Sequence, residues 1–480
     1  MVTMTQLLRL AGFGACAFAL SACGAGERLN ALNPFSGEET DDPNAPAASE
    51  RISVLAFEQT IERSDQFGQP IDLPGTYTND RWPQPDGYPS HAMQHTAADG
   101  DLNRVWRVRA GQGSARDRRI NARPVVLDNV IYAIDAEGRI SAHNAETGDR
   151  LWDRRIQRNR VETQNDDGGG FGLSFIPFVG GSGGGGADRM AFGGGIAVDG
   201  GRVYAHRGAE FVVALDASTG EEIWRQTAFT PFHSAPTVSD GRVFLTTDDN
   251  ELFAIDATSG EVLWTHRGIS ESARLLTAPS PAVYGEIVIA PYSSGELVAL
   301  RVSNGSVLWS DSLTRTGGLT PMSTINDISG SPVVTNDRVY AMSHSGILAA
   351  FNLNTGERIW TQEIGGLHVP WLVGDYLYLI TTEAELVALD RHTGQLRWLT
   401  ELGAFRNAEK RRQRIAWAGP IMAGGRLVIG SSRGSLLLVD ASTGEIMGDR
   451  DVGEAVFVPP VIADQTVYVL SDDGRLSAYR

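Results

Sequence analysis

Short apolar runs separated by turns of Gly, Asp and Thr recur along most of the chain. The unit is clearest in two segments, GRVYAHRGAEFVVALDASTGEEIW at 201–224 and GRVFLTTDDNELFAIDATSGEVLW at 241–264. Each unit has one β-rich run, a polar turn, a second run, a turn of the form x-T-G-E-x and a short run ending in Trp. Runs of this length between such turn residues predict β-strands.

The unit returns at a regular spacing, and this predicts a repeat fold. Further copies occupy 129–152, 286–309, 337–360, 375–398 and 425–448, the last with Gly448 in place of Trp. A short run that carries Pro precedes most copies, which gives four short strands in a repeat of roughly 40 to 50 residues, as in a β-propeller blade. Seven tryptophans share the equivalent position, where we expect them to pack between blades: Trp106, Trp152, Trp224, Trp264, Trp309, Trp360 and Trp398.

The two ends of the repeat region complement each other. The last repeat, 465–480, stops after its third strand, and 103–108 near the start supplies a run suited to the missing fourth strand. Pairing the two would close the ring and remove the exposed edges of an open array. The predicted fold is therefore all-β: an eight-bladed β-propeller of four-stranded antiparallel blades, with the ring closed by an N-terminal strand that completes the C-terminal blade.

The long irregular segments fall at equivalent places in the repeat. They occupy 153–191, 265–277, 310–330 and 399–414, where an outermost strand returns to the next innermost strand. Such returns cross one face of a propeller, and insertions gathered on one face often mark a binding face. The first contains glycine-rich stretches within 168–186 around an apolar centre, which fits either a disordered loop or a docking segment. The basic run 410–414 fits a solvated loop or a contact with acidic headgroups or a partner.

The N-terminus has the pattern of an exported lipoprotein. An apolar stretch too short to span a bilayer ends in Leu-Ser-Ala-Cys, which resembles a lipobox with Cys23 as the lipidated residue. Gly24 follows the cysteine, and its resemblance to lipoprotein sorting patterns implies sorting to the outer membrane, with the protein on its periplasmic face. The predicted organisation is a signal peptide at 1–22, a disordered tether at 23–50, an N-terminal extension at 51–100 and the propeller at 101–480.

Composition removes several function classes. The net charge of −17 argues against a general nucleic-acid binder. The only cysteines, Cys16 and Cys23, precede the folded region, so a disulfide framework, a CxxC zinc site and a cysteine nucleophile are excluded there. The nine histidines form no metal-binding motif, and no catalytic constellation is evident. We therefore predict neither a metal nor a cofactor.

The lipobox, the repeated LDxxTGExxW pattern and the count of eight blades resemble the BamB family, the lipoprotein subunit of the outer-membrane β-barrel assembly (BAM) machinery. The similarity covers roughly 100–480. It implies a non-catalytic scaffold that docks the POTRA domains of a BamA-like protein, contacts other BAM subunits and assists outer-membrane protein insertion, with unfolded outer-membrane proteins as further candidate partners. The family pattern matches Arg274 and Asp327 as partner-binding residues. Because the apolar neighbours of Arg274 differ from that pattern, Leu275 and Leu276 are expected to join the contact.

Two other classes stay open. Quinone (PQQ)-dependent periplasmic dehydrogenases share this type of repeat, but they typically carry a vicinal disulfide, a calcium site and a catalytic Asp that have no match here. A periplasmic module binding glycans or another envelope complex is the third class, with Trp371 and Trp417 either at the channel mouth or in ordinary blade packing.

Overall fold

The computed structural model confirms the predicted propeller. It describes residues 61–156, 194–271, 279–314 and 326–480, and these form eight four-stranded antiparallel sheets and one two-stranded sheet. One compact unit runs from Gln59 to Arg480. In blades 1 to 7 each sheet is a meander in which neighbouring strands pair in chain order, because turns of two to five residues connect antiparallel neighbours most directly.

Blades are numbered in chain order. Blades 1 to 4 are β2 (Val125–Leu127), β3 (Val130–Ile134), β4 (Arg139–Asn144) and β5 (Arg150–Arg155); β6 (Gly195–Asp199), β7 (Arg202–His206), β8 (Phe211–Asp216) and β9 (Glu222–Thr227); β10 (Thr237–Ser239), β11 (Arg242–Thr246), β12 (Glu251–Asp256) and β13 (Val262–Arg267); β14 (Ala282–Tyr284), β15 (Ile287–Pro291), β16 (Glu296–Arg301) and β17 (Val307–Ser312).

Blades 5 to 8 follow the same order of strands. They are β18 (Val333–Val334), β19 (Arg338–Met342), β20 (Leu348–Asn352) and β21 (Arg358–Gln362); β22 (Trp371–Val373), β23 (Tyr376–Ile380), β24 (Glu385–Asp390) and β25 (Leu396–Glu401); β28 (Trp417–Ala423), β29 (Arg426–Ser431), β30 (Ser435–Asp440) and β31 (Ile446–Asp451); β32 (Val461–Ala463), β33 (Thr466–Leu470), β34 (Arg475–Tyr479) and, as fourth strand, β1 (Arg104–Arg109). The two-stranded sheet is a hairpin of β26 (Phe405–Asn407) and β27 (Arg412–Arg414) between blades 6 and 7.

Blade 8 closes the ring as the sequence predicts. Strand β1 pairs antiparallel with β34, with Trp106 opposite Ala478 and Arg109 opposite Arg475. Beyond the strand ends, the backbone N–H of Arg480 donates to the carbonyl of Asn103 at 3.0 Å. The first and last strands of the propeller therefore form one sheet, and neither is left as an open edge.

The repeated Asp-x-x-Thr-Gly sequence is explained by the turn between the third and fourth strands. In blade 2 the carboxylate of Asp216 accepts the backbone N–H groups of Ser218 and Thr219, both at 2.9 Å. These bonds fix the turn. The hydroxyl of Ser218, which also donates to Asp216, and the two backbone bonds together hold the pKa of Asp216 below its usual range. Gly220 follows with φ +71°, and a Cβ built there would lie 2.6 Å from the ring of Trp152 in blade 1. Only glycine fits both the left-handed backbone and the close ring.

The seven tryptophans link each blade to the next, which confirms that they pack between blades. Each indole N–H donates to a backbone carbonyl in the following blade's third-to-fourth-strand turn, as Trp309 does to Leu353 at 2.7 Å. The ring also covers the glycine of that turn, here Gly356. The other six bonds run from Trp106, Trp152, Trp224, Trp264, Trp360 and Trp398 to Ala145, Ala217, Ala257, Val302, Arg391 and Ala441.

Blade 7 is the exception, and its sequence differs at both positions of this pair. In the other seven blades an alanine lies opposite the tryptophan, as Ala299 lies opposite Trp309, whereas in blade 7 Leu438 lies opposite Gly448. Blade 8 has no turn between its third and fourth strands, because β34 ends the chain and β1 comes from its beginning. A tryptophan at 448 would have no turn to cover, and a Cβ built on Gly448 meets no atom within 4 Å.

The N-terminal extension closes the central channel. The innermost strand of a blade turns one edge toward the propeller axis, where its N–H and C=O groups need partners. Residues 79–96 supply partners in all eight blades. The backbone of Trp82 pairs with Val126 in blade 1, and the side-chain amide of Gln84 both donates to and accepts from Val238 in blade 3.

The remaining contacts of this segment, hereafter the axial plug (79–96), continue around the ring. They join Pro83 to Val198, Pro89 to Val283, Ser90 to Val334, Gln94 to Trp371 and Gly374, Thr96 to Met422 and Gly424, and Asn79 to Ile462 and Asp464. The plug thus holds the innermost strands together by backbone and amide hydrogen bonds.

Before it reaches the axis, the extension runs along the outer edge of blade 6. The N–H of Ser64 donates to the carbonyl of Leu396 at 3.0 Å, and the N–H of Leu396 donates to Glu62 at 2.8 Å. Arg63 and Leu396 form a parallel bridge, so the extension adds a short fifth strand to this blade. The edge that β25 would otherwise expose is covered there by the chain itself.

Candidate partner-binding face

The two faces of the propeller differ in what they carry. One face, the turn face, holds the turns between first and second and between third and fourth strands. The other, the link face, holds the turns between second and third strands and the links from each fourth strand to the next blade. Where the insertions singled out in the sequence extend beyond the strands and are described, they lie in such links, as the geometric argument predicts.

The link from blade 3 to blade 4 is anchored at its start. Asn250, in the second-to-third-strand turn of blade 3, accepts from the N–H of Gly268 through its carbonyl at 2.8 Å and donates through its amide to the carbonyl of Ile269 at 2.5 Å. The N–H of Ile269 in turn donates to the carboxylate of Glu296 in blade 4 at 2.7 Å. The link therefore leaves blade 3 attached to both neighbouring blades.

The link from blade 4 to blade 5 is anchored on the same turn of blade 4. The N–H of Leu313 donates to the carbonyl of Gly295 at 2.8 Å, and that of Ile328 donates to the carbonyl of Tyr292 at 3.4 Å. A Cβ on Gly295 would lie 2.9 Å from the carbonyl oxygen of Asn326, so this residue must be small. Both links thus converge on the turn 292–296.

Asp327 lies at the base of this region. Asp327 is 3% exposed, and its backbone carbonyl accepts the N–H of His344 in blade 5 at 2.9 Å. Around it is a small cavity of about 20 Å³ that is also lined by His233, Asn250 and Ser293. Asp327 therefore lies at the seam where the end of the link from blade 4 to blade 5 meets the blades. Its predicted role in partner binding stays a prediction.

The other predicted site residues lie outside the described residues. These are Arg274, Leu275 and Leu276 in the link from blade 3 to blade 4, and the lipidation residue Cys23. The glycine-rich insertion 168–186 also lies outside them. Their roles stay predictions.

The floor of the link face at the axis is a buried charged group that the sequence analysis did not find. Arg123 and Asp86 form an ion pair at 2.5 Å, and the hydroxyl of Ser331 donates to Asp86 at 2.6 Å. Burial by itself would raise the pKa of Asp86, but Arg123, His91 and the Ser331 bond lower it overall. Asp86 belongs to the axial plug, whose only signal in the sequence is a stretch rich in Pro, His and aromatic residues before the repeats.

Above this pair a funnel of about 210 Å³ opens to the link face. It is lined by backbone and small residues of several blades, with Leu367, His368 and Phe457 at its wall. The His368 ring is bonded to the carbonyl of Trp417 at 2.9 Å, and burial lowers its pKa to about 4. At neutral pH His368 is therefore uncharged. The charged side chains at the floor of the funnel are Arg123 and Asp86, which are paired with each other.

The two tryptophans outside the repeat position have different surroundings. Trp371 is buried, stacks on Trp82 of the axial plug at 5.9 Å and donates to the carbonyl of Gln94. It belongs to the packing, which is the second of the two interpretations of its sequence position. Trp417 is half-buried on the link face, and its indole donates to the carbonyl of Gly403 at 3.0 Å.

The described residues hold no group of three or more His, Cys, Asp or Glu positioned to bind a metal ion. In the same part of the chain, no helix has the length and apolar character needed to cross a bilayer.

Comparison with known proteins identifies the family. The family model described as outer membrane protein assembly factor BamB matches residues 90–169, 180–400 and 404–480. The chain belongs to the BamB family. A BamB relative from Salmonella typhimurium is 30% identical over 375 residues, which cover 78% of this chain and 88% of the relative. Another BamB relative, from Burkholderia pseudomallei, is 25% identical over 384 residues, covering 79% and 88%.

Solved structures agree with this fold. The crystal structure of BamB from Moraxella catarrhalis superposes with a TM-score of 0.63 at 19% identity and covers 79% of this chain and 99% of its own. The quinohemoprotein alcohol dehydrogenase from Comamonas testosteroni has a TM-score of 0.60 at 14% identity, covering 83% and 80%. At these identities both likenesses concern the propeller alone, and membership in the BamB family rests on the sequence matches.

Proposed function

We propose that this protein is a non-catalytic scaffold lipoprotein of the outer-membrane β-barrel assembly machinery. In this proposal a lipid on Cys23 holds it at the periplasmic face of the outer membrane. The links between blades 3 and 4 and between blades 4 and 5 dock the POTRA domains of a BamA-like protein. Membership in the BamB family supports the setting, since the relatives are named as outer membrane protein assembly factors.

The observation that carries the docking proposal is the convergence of the two links on one turn. Ile269 in one link and Leu313 in the other are both hydrogen-bonded to the blade 4 turn at 292–296. A rigid base under two neighbouring loops reduces the entropy lost when they bind, which suits a docking surface. Arg274, Leu275 and Leu276 would contact the partner, with Arg274 as the anchor because arginine is enriched at interface centres.

The buried position of Asp327 gives it a supporting role in this proposal. A carboxylate at the seam would fix the base of the second link, and its removal would act through the loop and through stability. Reversing its charge is therefore a poor test of docking, whereas Arg274 is a sharp one.

The funnel on the link face does not favour the dehydrogenase alternative. The axial plug occupies the channel, and the remaining funnel of about 210 Å³ is smaller than the roughly 300–1,000 Å³ of usual cofactor pockets. The polar groups at its floor, Asp86 and Arg123, are already engaged with each other.

The test is co-purification from gently solubilised envelopes, comparing wild type with Arg274→Glu. The matched control is Arg433→Glu, because Arg433 is an exposed arginine in the blade 7 turn on the same face. We expect wild type and control to recover a POTRA-containing β-barrel protein in near-stoichiometric amount and Arg274→Glu to lose most of it at an unchanged melting temperature. Equal recovery with all three proteins would contradict the role of Arg274, and no such partner with wild type would contradict the scaffold itself.

A further inference from the structure

Besides the links on either side of blade 4, the link face carries a second surface, which is centred on the hairpin between blades 6 and 7. Residues 405–414 contain one acidic and five basic side chains, in a chain whose net charge is −17. The basic residues are Arg406, Lys410, Arg411, Arg412 and Arg414, and all five are exposed. This is the densest basic cluster of the sequence, and it belongs to the link between blades 6 and 7.

The structure holds these cations on a defined hairpin. Phe405 pairs with Arg414 and Asn407 with Arg412, and the turn is closed by the N–H of Lys410, which donates to the Asn407 side chain at 2.9 Å. The guanidinium of Arg411 lies 5.5 Å from the centre of the Phe405 ring. The hairpin therefore presents its charges in a fixed arrangement.

Their positive charge is not neutralised by the described part of the chain. Arg406 and Arg414 donate to backbone carbonyls, those of Ser432 and Thr382, and none of the five basic side chains forms an ion pair with a described residue. Backbone carbonyls satisfy donors without cancelling the charge. A surface of this kind favours an anionic partner.

An apolar groove adjoins the hairpin. It has a volume of about 380 Å³ and is lined mainly by apolar residues: Leu367, Ile380, Ala384, Ile415, Trp417 and Phe457. Leu367 and Phe457 are 40% and 42% exposed, although both are large apolar side chains. Arg414 belongs to both the groove and the hairpin. Apolar surface thus lies directly beside the uncompensated positive charge.

The walls of this groove are rigid. The Trp417 indole is fixed by Gly403, the His368 ring is fixed by the Trp417 carbonyl, and the N–H of Ile415 donates to the carbonyl of Ala404 at 2.8 Å. On the far side of Thr381 and Thr382, a small cavity of about 80 Å³ is lined by glutamates of blade 6. The sign of the charge therefore changes across the groove, which would orient a bound segment with its acidic part toward the hairpin.

We propose that this surface, the hairpin–groove surface (405–417 with Leu367 and Phe457), binds an extended acidic segment of a partner protein that inserts an aromatic or branched aliphatic side chain. A concave apolar groove accepts a side chain, whereas a lipid bilayer presents a broad, flat headgroup layer. The groove anchors the apolar side chain and the hairpin attracts the adjacent carboxylates. The inference goes beyond the proposed function, because none of its residues belongs to the Arg274 region.

The test measures fluorescence anisotropy of a labelled peptide, Asp-Phe-Asp-Phe-Asp, added to the full-length protein in neutral detergent. Two substitution pairs probe the surface. Arg411→Glu with Arg412→Glu should weaken binding about tenfold, because attraction becomes repulsion. Leu367→Ser with Phe457→Ser should weaken it to a similar extent by removing apolar contact. Their exposed positions predict little change in melting temperature.

Matched controls separate the surface from general charge and hydrophobicity. Arg154→Glu with Arg301→Glu makes the same charge change at exposed arginines of blades 1 and 4, and Phe229→Ser removes a fully exposed aromatic residue elsewhere on the link face. Both should bind like wild type. The peptides Asp-Ser-Asp-Ser-Asp and Arg-Phe-Arg-Phe-Arg should bind at least about tenfold more weakly than the acidic aromatic one.

Chemical cross-linking to the single lysine of the chain, Lys410, can show directly where the peptide binds. A carbodiimide joins Lys410 to a neighbouring carboxylate as an amide, so peptide cross-linked by this reagent should appear on Lys410 and should be lost in Lys410→Arg.

Three results would overturn the proposal: peptide binding unaffected by both surface pairs, equal binding of the serine peptide, or absence of the Lys410 product despite binding. A fourth result would assign the surface to lipid instead. In that case the peptide does not bind at all, the wild-type protein binds phosphatidylglycerol-containing vesicles more than phosphatidylcholine vesicles, and the arginine pair of substitutions removes this preference. Each of these leaves the co-purification test of Arg274 unaffected, so the two proposals fail separately.

Discussion

The tryptophan links between blades predict a strong asymmetry between two substitutions at the same register position. Trp309 is 8% exposed, stacks on Phe351 at 6.0 Å and donates to Leu353 at 2.7 Å. Replacement by Ala removes the ring from a packed interface, and such truncations destabilise by about 3–5 kcal/mol. Within this, the ring pair and the hydrogen bond each account for about 1 kcal/mol.

The size of the expected change in melting temperature follows from the length of the compact unit. An unfolding entropy of about 2.1 cal/mol/K per residue gives about 0.9 kcal/mol/K for the unit from Gln59 to Arg480. Trp309→Ala should therefore lower the midpoint by roughly 3–6 °C in differential scanning calorimetry. Because other blades keep their links, unfolding should remain cooperative.

The converse substitution in blade 7, which introduces a tryptophan, should not increase the stability of the protein. Gly448→Trp adds a ring where blade 8 has no turn to receive it, so its midpoint should match that of Gly448→Ala, which carries the same backbone cost at φ +144°. Adding Leu438→Ala restores the alanine–tryptophan pair of the other blades and should still not raise stability. A midpoint for Gly448→Trp that exceeds Gly448→Ala by several degrees would refute the explanation.

Three further outcomes test closure, the axial plug and buried histidine. Deletion of 476–480 removes most of β34, the strand that joins β1 to blade 8, and should abolish cooperative unfolding, whereas a sharp calorimetric transition would contradict the closure. Gln84→Ala leaves the N–H and C=O of Val238 unpaired and should lower stability by about 2–4 kcal/mol in denaturant unfolding, with the exposed Gln66→Ala unchanged as control. Burial lowers the pKa of His206 to about 4, so the unfolded chain takes up the proton first as pH falls; stability should decline from about pH 6.5 to 4, by about 3 kcal/mol, and this slope should shrink in His206→Gln.

The candidate site was only partly predictable from the sequence. The positions of the links follow from the repeat alone, because a fourth strand must return to the axis across one face. The burial of Asp327 was not predictable, since it depends on how the link ends meet the turn of blade 4. The groove was also not predictable, because Leu367 and Phe457 come from two different links and Trp417 from strand β28, and they meet only when these neighbouring blades pack together.

By itself the sequence determined the architecture. Strand length, turn residues and the recurring Trp are local signals, and eight copies of one local pattern have few ways to bury their apolar faces other than a ring. The tertiary structure alone decided the axial plug and the surfaces of the link face. Residues 79–96 have no period, and their partners are innermost strands from Val126 to Ile462, separated along the chain by hundreds of positions. Such contacts depend on unpaired edges that exist only after the blades have assembled.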